Sequence, residues 1–508
     1  MAINDSRITN NTQFPAFDAF LLLIILNFTL QPLTEPDFGW HLRTGLDLLW
    51  HGGALPALDP YSHTMPAWPW VEHAWLTDLI IGSFYQLFGA LGVILFFGAV
   101  TAGAWLVASL SVPCSRTYRL LACALSLWVA LPFLGARTQM VTLLGLALLL
   151  VVLQRGRNVE ARSLWLIPPV FLLWANLHGG FTAGLFLLGL VAACSVLVKG
   201  VLHWAPGLAA HLDETPLAWP TIGKLVVAGG VAALATLVNP YGWRLYGEII
   251  DSLSNQFMLE SLQEWQPVSL NTLAGRSYAL YLAGLGLALV AWYRRIEPVR
   301  WAVWAVFLLL SLRHMRNIPF FLLITLPLCA ELLATGLGRL RGRLRLDSVG
   351  ARRCVLAGTL SGALFMVWMG PDHLQRVAQS GLEPIEYFKG TSYPIEAVQW
   401  VLEHRDRVGH RLYNDYAYGG FLLWWLPEEK IFIDGRMPAW RSGDRLIFQD
   451  YVALSLTDPP RLSVLSTYSV DWAIVRKKSL LDEALAREQT WKREYEDGKV
   501  SVYVQSPR

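Results

Sequence analysis

Charge is scarce in this chain: 16% of its 508 residues are Asp, Glu, Lys or Arg, against 54% hydrophobic, at a mean hydropathy of +0.40. So little charge cannot coat one or several water-soluble domains, and that class is excluded. The formal net charge is only +3, and the basic residues fall in short loops instead of a stripe, which argues against nucleic acid as a partner. Cysteine is also sparse. Cys114, Cys123, Cys194, Cys329 and Cys354 lie in or beside apolar segments with no CxxC pair, so neither disulfides nor a zinc site are expected. The first apolar run, Ala19 to Leu30, has little positive charge before it and no small-residue cleavage site after it, and reads as an uncleaved first span. The chain shows no internal repeat and no low-complexity tract.

Long apolar runs are abundant. Segments near 14 to 33, 90 to 111, 118 to 134, 138 to 153, 163 to 177, 180 to 201, 222 to 238, 277 to 293, 299 to 313, 317 to 337 and 354 to 370 are candidates to cross about 30 Å of hydrocarbon, about eleven spans in all. Orientation follows from the basic residues. With the N-terminus in the cytoplasm, Arg155, Arg157 and Arg162, then Arg294, Arg295 and Arg300, and the Arg339 to Arg353 cluster all fall on that side. Residues 73 to 88 are apolar enough to be a span, yet counting them would reverse this bias. They are expected to form an interfacial or re-entrant helix leading into the second span.

After Met369 the composition becomes charged and mixed. HRLYN, KIFID, DWAIV and KVSVYVQ read as strands, and 394 to 406, 445 to 455 and 479 to 488 as helices. The expected fold is thus a polytopic α-helical membrane domain over 1–370, with a first outer loop at 34–89, followed by a soluble outer α/β domain over 371–508.

On this topology the unusual polar residues crowd the outer face. The first loop holds Glu35, Asp37, His41, Arg43, His51, Asp59, His63, Glu72 and His73. Later loops add Arg137, Asn176 and His178, then Asn239, Tyr241, Arg244 and Glu264, and finally Arg313, His314, Arg316 and Asn317. Ionisable groups at span ends are costly unless they line a cavity, so such a set points to a functional site. Each has a bland reading as well. Glu35 and Asp37 suit solvated loop carboxylates. The loop histidines lack a metal-ligand spacing such as HxxxH, and the arginines suit lipid-phosphate anchors. WANLHGGF suits a close helix turn, and YNDYAYGG and FIDGR, with Asp434 and Arg436, suit turns after strands.

EPDFGWHLRTG, DPYSHT, PWVEHAWL, ARTQM, WANLHGGF, NPYG, EWQP, RHMRNIPFF, YNDYAYGGFLLWWLP and IFIDGR together resemble a group of bacterial membrane proteins, the GT-C-like glycosyltransferases. The resemblance implies a polytopic enzyme of the bacterial inner membrane with a periplasmic C-terminal domain. Its donor would be a polyprenyl-phosphate or polyprenyl-diphosphate sugar, and its acceptor is left unassigned. Asp37 and Glu35 correspond to the first-loop carboxylates, with Asp37 as the base and single displacement with inversion. Arg137, Arg313 and Arg316 would hold the phosphate, while His41, Arg43, Asn176, His178 and Asn239 would contact substrate. The proline between the two carboxylates leaves their convergence on one ion open, so a divalent metal, Mg or Mn, is neither required nor excluded. The alternatives are a transporter or flippase of lipid-linked glycans, for which polar groups at mid-depth are expected, and a non-catalytic assembly subunit.

Overall fold

The computed structural model describes residues 15–158, 161–212, 215–292, 297–343, 350, 353, 357 and 371–506. The span expected at 354 to 370 lies, apart from residue 357, outside the described residues. The chain forms two compact units, one from Met1–Gln31, Leu95–Gly242 and Leu262–Leu374, the other from Pro32–Ile94, Trp243–Ser261 and Gln375–Arg508.

The helices in chain order are α1 (Pro15–Thr29), α2 (Phe38–Trp50), α3 (Trp75–Ser109), α4 (Arg116–Ala130), α5 (Gln139–Asn158), α6 (Ile167–Leu177) and α7 (Phe181–Trp204). They continue with α8 (Trp219–Ala235), α9 (Arg244–Ser254), α10 (Gln256–Ser261), α11 (Leu273–Trp292), α12 (Pro298–Arg313) and α13 (Ile318–Arg343). Among the described residues, five helical segments are long and apolar enough to cross a membrane: Trp75–Ser109, Gln139–Arg157, Phe181–Trp204, Leu273–Ala291 and Met315–Leu337. α1 and α8 are shorter apolar helices. Proline in the first turn starts α6, α8 and α12, where its missing N–H costs no helical bond. In the first unit α4 packs on α1 and α13, and α12 packs on α7 and α13. Leu280, Leu287 and Val290 on α11 stay exposed, as expected of a face that meets lipid tails instead of water.

Residues 75 to 88 are helical, and Gly89 separates them from the apolar stretch that follows. Its φ of 63° lies in the left-handed region, which only glycine adopts at low cost. The half of α3 before this break packs on α2 in the second unit through backbone contact. A Cβ on Gly45 would overlap the carbonyl of Asp78, and one on Gly82 would come within 2.6 Å of the Gly45 backbone.

The C-terminal part of the second unit is built on a four-stranded sheet. Its strands are β1 (Leu412–Asn414), β4 (Trp472–Arg476), β5 (Trp491–Glu496) and β6 (Val500–Gln505), in the order β1-β4-β6-β5. A two-stranded hairpin, β2 (Arg441–Ser442) with β3 (Arg445–Leu446), stands apart from it. β1 runs parallel to β4, and the β4–β6 and β5–β6 pairs are antiparallel. The expected helices are found at Ile395–Glu403, Ile447–Ser455 and Leu480–Arg487. KIFID departs from its expected strand. Its backbone bonds to the Asn414 side chain, which accepts from Phe432 N at 2.8 Å and donates to Ile433 O at 2.8 Å. It also bonds to the first loop, with Ile431 N donating to Tyr61 O and His63 N to Ile431 O. The segment serves as a seam between first loop and C-terminal residues. β5 was not expected, because WKREYE alternates too weakly to read as a strand.

Replacing Gly45 with leucine should force α2 and α3 apart and cost about 1–3 kcal/mol, the usual penalty for overpacking. Thermal unfolding of the full chain in detergent measures this as a lower midpoint, and an unchanged midpoint would refute the contact.

Candidate functional site

The acidic motif opens α2. Asp37 occupies the N-cap position and is half-buried, like Glu35. A Cβ on Gly435 would overlap the Asp37 carboxylate, so only glycine lets the C-terminal backbone pass this close. Tyr393 donates to the Thr34 carbonyl at 2.9 Å. Burial, reinforced by the charges of Glu35 and Asp37, pushes the Tyr393 hydroxyl well above the ordinary tyrosine range, so it stays a neutral donor beside the motif.

Behind the motif lies a buried guanidinium. Arg436 donates through Nη1 to Asp59 at 2.7 Å and through Nε to Asp434 at 2.8 Å, and its Nη2 lies 2.7 Å from Asp434. The rings of Trp40, Tyr61, Trp70 and Trp440 lie 5.1–5.8 Å from its central carbon. Burial by itself would lower its pKa, but the two carboxylates outweigh that and hold it charged. Asp59 also takes the Ser62 hydroxyl at 2.5 Å and the Ser62 amide at 2.9 Å, which explains the DPYS pattern. Asp434 closes the turn expected of FIDGR by accepting from Arg436 N at 3.0 Å, and with Arg436 it also forms a charged core.

Beside this core, His41 Nδ1 lies 2.6 Å from the Asp78 carboxylate, and the His41 ring stacks on Trp40 at 3.5 Å. One ligand atom each from His41, Glu72 and Asp78 falls within 4.8 Å of the others, and all three residues are buried. Asp78 Oδ2 has no hydrogen-bond partner among the described residues. Glu72 is pushed well above the usual carboxylate range by burial first and by Asp78 next. Two buried carboxylates so close call for a shared proton or a divalent cation, and one nitrogen with two oxygens suits zinc or manganese better than magnesium. Of the four loop histidines, His41 joins this group and His73 Nδ1 lies 3.7 Å from Glu72, while His63 bonds to the Leu412 carbonyl at 2.8 Å and is lowered in pKa by burial. Asp78 was missed because it lies in a segment read only for hydropathy, and an aspartate inside an apolar run was the available signal. Arg43 pairs with Asp47 at 3.1 Å one turn along α2.

The first unit holds the arginines. Arg137 Nη2 donates to Glu264 at 3.2 Å and Arg316 Nη1 to the other oxygen at 2.8 Å, with the Arg316 guanidinium over the Trp265 ring at 4.4 Å. The loop is pinned by Met315 N donating to Gln266 O, by His314 Nδ1 at 2.5 Å from Trp265 O, and by Gln139 donating to Arg316 O. Burial would raise Glu264, but Arg316 and then Arg137 pull it below the usual carboxylate range. Two guanidiniums around one carboxylate leave a net positive, preorganised patch. Arg313 is exposed at the end of α12 and is not a member of this network. The remaining expected contacts engage nearby backbone and side-chain groups. Asn176 donates to the Leu172 and Val238 carbonyls, His178 Nδ1 pairs with the Thr142 hydroxyl at 2.7 Å, and Asn239 closes the NPYG turn on Thr236, Tyr241 and Gly242.

Arg436→Gln strands two buried aspartates and should destabilise the second unit by about 3–5 kcal/mol, read as a fall in the denaturation midpoint of the full chain. For Glu264 the folded pKa is depressed, so its pairing stabilises above the unfolded value near 4.3 and is lost as pH falls through the folded one. Thermal midpoints of wild type and Glu264→Gln should therefore differ at neutral pH and converge in acid; a constant gap would contradict the pairing.

No family model and no curated protein matches the sequence. Solved structures do. Archaeal oligosaccharyltransferase AglB from Archaeoglobus fulgidus, in complex with an inhibitory peptide and a dolichol-phosphate, superposes with TM-score 0.54 at 11% identity, covering 91% of this chain and 69% of that one. The same organism's oligosaccharyltransferase tethered to an acceptor peptide gives 0.51 at 11% identity, over 91% and 68%. ArnT from Cupriavidus metallidurans bound to undecaprenyl phosphate gives 0.46 at 12% identity, over 97% and 99%. The chain shares its fold with the Archaeoglobus fulgidus oligosaccharyltransferase over 91% of its length.

Proposed function

We propose that this chain is a GT-C-type glycosyltransferase that moves a hexosyl or pentosyl unit from a polyprenyl-phosphate or polyprenyl-diphosphate donor to an acceptor on the periplasmic face, with inversion. The observation that carries this reading is a fold shared over 91% of the chain with an oligosaccharyltransferase that binds a dolichol-phosphate. The reading includes about eleven spans in the bacterial inner membrane, a cytoplasmic N-terminus and a periplasmic domain over 371–508.

The chemistry asks for little. A lipid phosphate is already a good leaving group, so transfer needs a base for the acceptor hydroxyl and positive charge for the departing phosphate. Asp37 is assigned as the base, with Glu35 as its partner. Both carboxylates are half-buried, and Asp37 is held at the start of α2 against the Gly435 backbone. Arg137 and Arg316 are assigned to the phosphate, because Glu264 and Trp265 hold their guanidiniums in place before any ligand arrives. A divalent cation, where bound, would be held by His41, Glu72 and Asp78. One base and one leaving group suffice for single displacement, in contrast to the two-carboxylate covalent route of retaining enzymes.

Asp37→Asn should reduce transfer of a labelled sugar from a polyprenyl-linked donor by about 10²–10⁴ while the variant stays folded, the range expected for loss of a general base. Unchanged transfer by a folded variant would remove Asp37 from this role.

A further inference from the structure

Away from the groups discussed above, the first unit contains a cavity of about 130 Å³ where α5 ends and α12 begins. These helix ends carry the basic loops expected on the cytoplasmic side. The wall is largely apolar, with Leu153, Leu187, Val191 and Val303. Its charged lining among the described residues is two ion pairs, with Ser111, Gln154 and Thr221 adding neutral polar groups. Arg157 donates to Glu297 and also to the Thr215 carbonyl at 3.0 Å. Arg300 donates to both oxygens of Glu331 at 3.1 Å and lies over the Trp304 ring at 5.1 Å.

One atom of this lining is unsatisfied. The Glu297 side chain is 1% exposed, and its Oε1 has no hydrogen-bond partner among the described residues. A buried carboxylate oxygen without a donor is unfavourable, and its residue forms part of the cavity wall. The charges constrain what can enter. An anionic headgroup would meet the two glutamates, and a cationic one the two arginines. A zwitterion satisfies both signs. The orphan oxygen further requires N–H donors, which a primary ammonium has and a trimethylammonium lacks.

We propose that this cavity binds an aminophospholipid, its ammonium against the Glu297 carboxylate, its phosphate against Arg157 and Arg300, and the start of an acyl chain along Leu153 and Leu187. The site does not depend on the transferase reading.

The test is native mass spectrometry of the delipidated full chain titrated with phosphatidylethanolamine, phosphatidylcholine and phosphatidylglycerol of matched chains, and with glycerophosphoethanolamine. Phosphatidylethanolamine should bind about tenfold more tightly than the other two lipids, equivalent to about 1.4 kcal/mol. Glu297→Gln should abolish that preference. Leu187→Trp, which fills the apolar wall from α7 and leaves the four ion-pair residues unchanged, should weaken phosphatidylethanolamine by a similar factor and so guards against a folding defect in the first variant. Equal affinity for the three lipids, or a preference that survives Glu297→Gln, would overturn the proposal. Binding of the chain-free headgroup as tightly as the whole lipid would also overturn it, by assigning the cavity to a soluble phosphoamine.

Discussion

A guanidinium with almost no access to water must be neutralised and hydrogen-bonded where it sits, and Arg436 meets that demand through residues far apart in sequence. Asp59 comes from the first loop and Asp434 from the C-terminal part, with rings from Trp40, Tyr61, Trp70 and Trp440 closing around them. The second unit depends on this arrangement. It shows what DPYS, the tryptophans of the first loop and IFIDGR contribute: each supplies a carboxylate, a ring or the cation itself. It also explains why KIFID leaves the sheet, since its backbone is committed to Tyr61, His63 and the Asn414 side chain. Glycine completes the design. Gly435 lets the chain pass the Asp37 carboxylate, and Gly45 with Gly82 brings α2 against α3.

The first unit uses the same physical device in a different setting. Glu264 orients two arginines, and Trp265 supplies a face for one of them, so the positive patch is rigid without being neutralised. At the basic helix ends the balance is different, with each arginine matched by a glutamate. Preorganised excess charge suits a phosphate that must be stabilised as it leaves. Matched charge suits a headgroup that carries both signs and stays.

Apolar runs, basic loops and the change of character after Met369 gave the membrane class and a small C-terminal α/β region, because hydropathy and periodicity are properties of local sequence. The helices at Ile395–Glu403 and Leu480–Arg487 and the strands β1, β4 and β6 were legible on the same grounds. The candidate site was legible only as a set of residue types. Asn176, His178 and Asn239 looked like ligand contacts but satisfy nearby backbone and side-chain groups, since an amide or imidazole at a helix end reads alike in either role. Glu264 reads in sequence as one more outer carboxylate, and its place between Arg137 and Arg316 depends on partners 127 and 52 residues away along the chain.

The sequence by itself determined that this is a multi-pass membrane protein with an acidic motif before its second helix, because the energy of placing charge in hydrocarbon is written in composition. Tertiary structure alone decided which charges meet. It joined His41 to Glu72 and Asp78, Arg436 to Asp59 and Asp434, and Arg316 to Glu264, because ion pairing is a matter of distance in space that spacing along the chain does not encode.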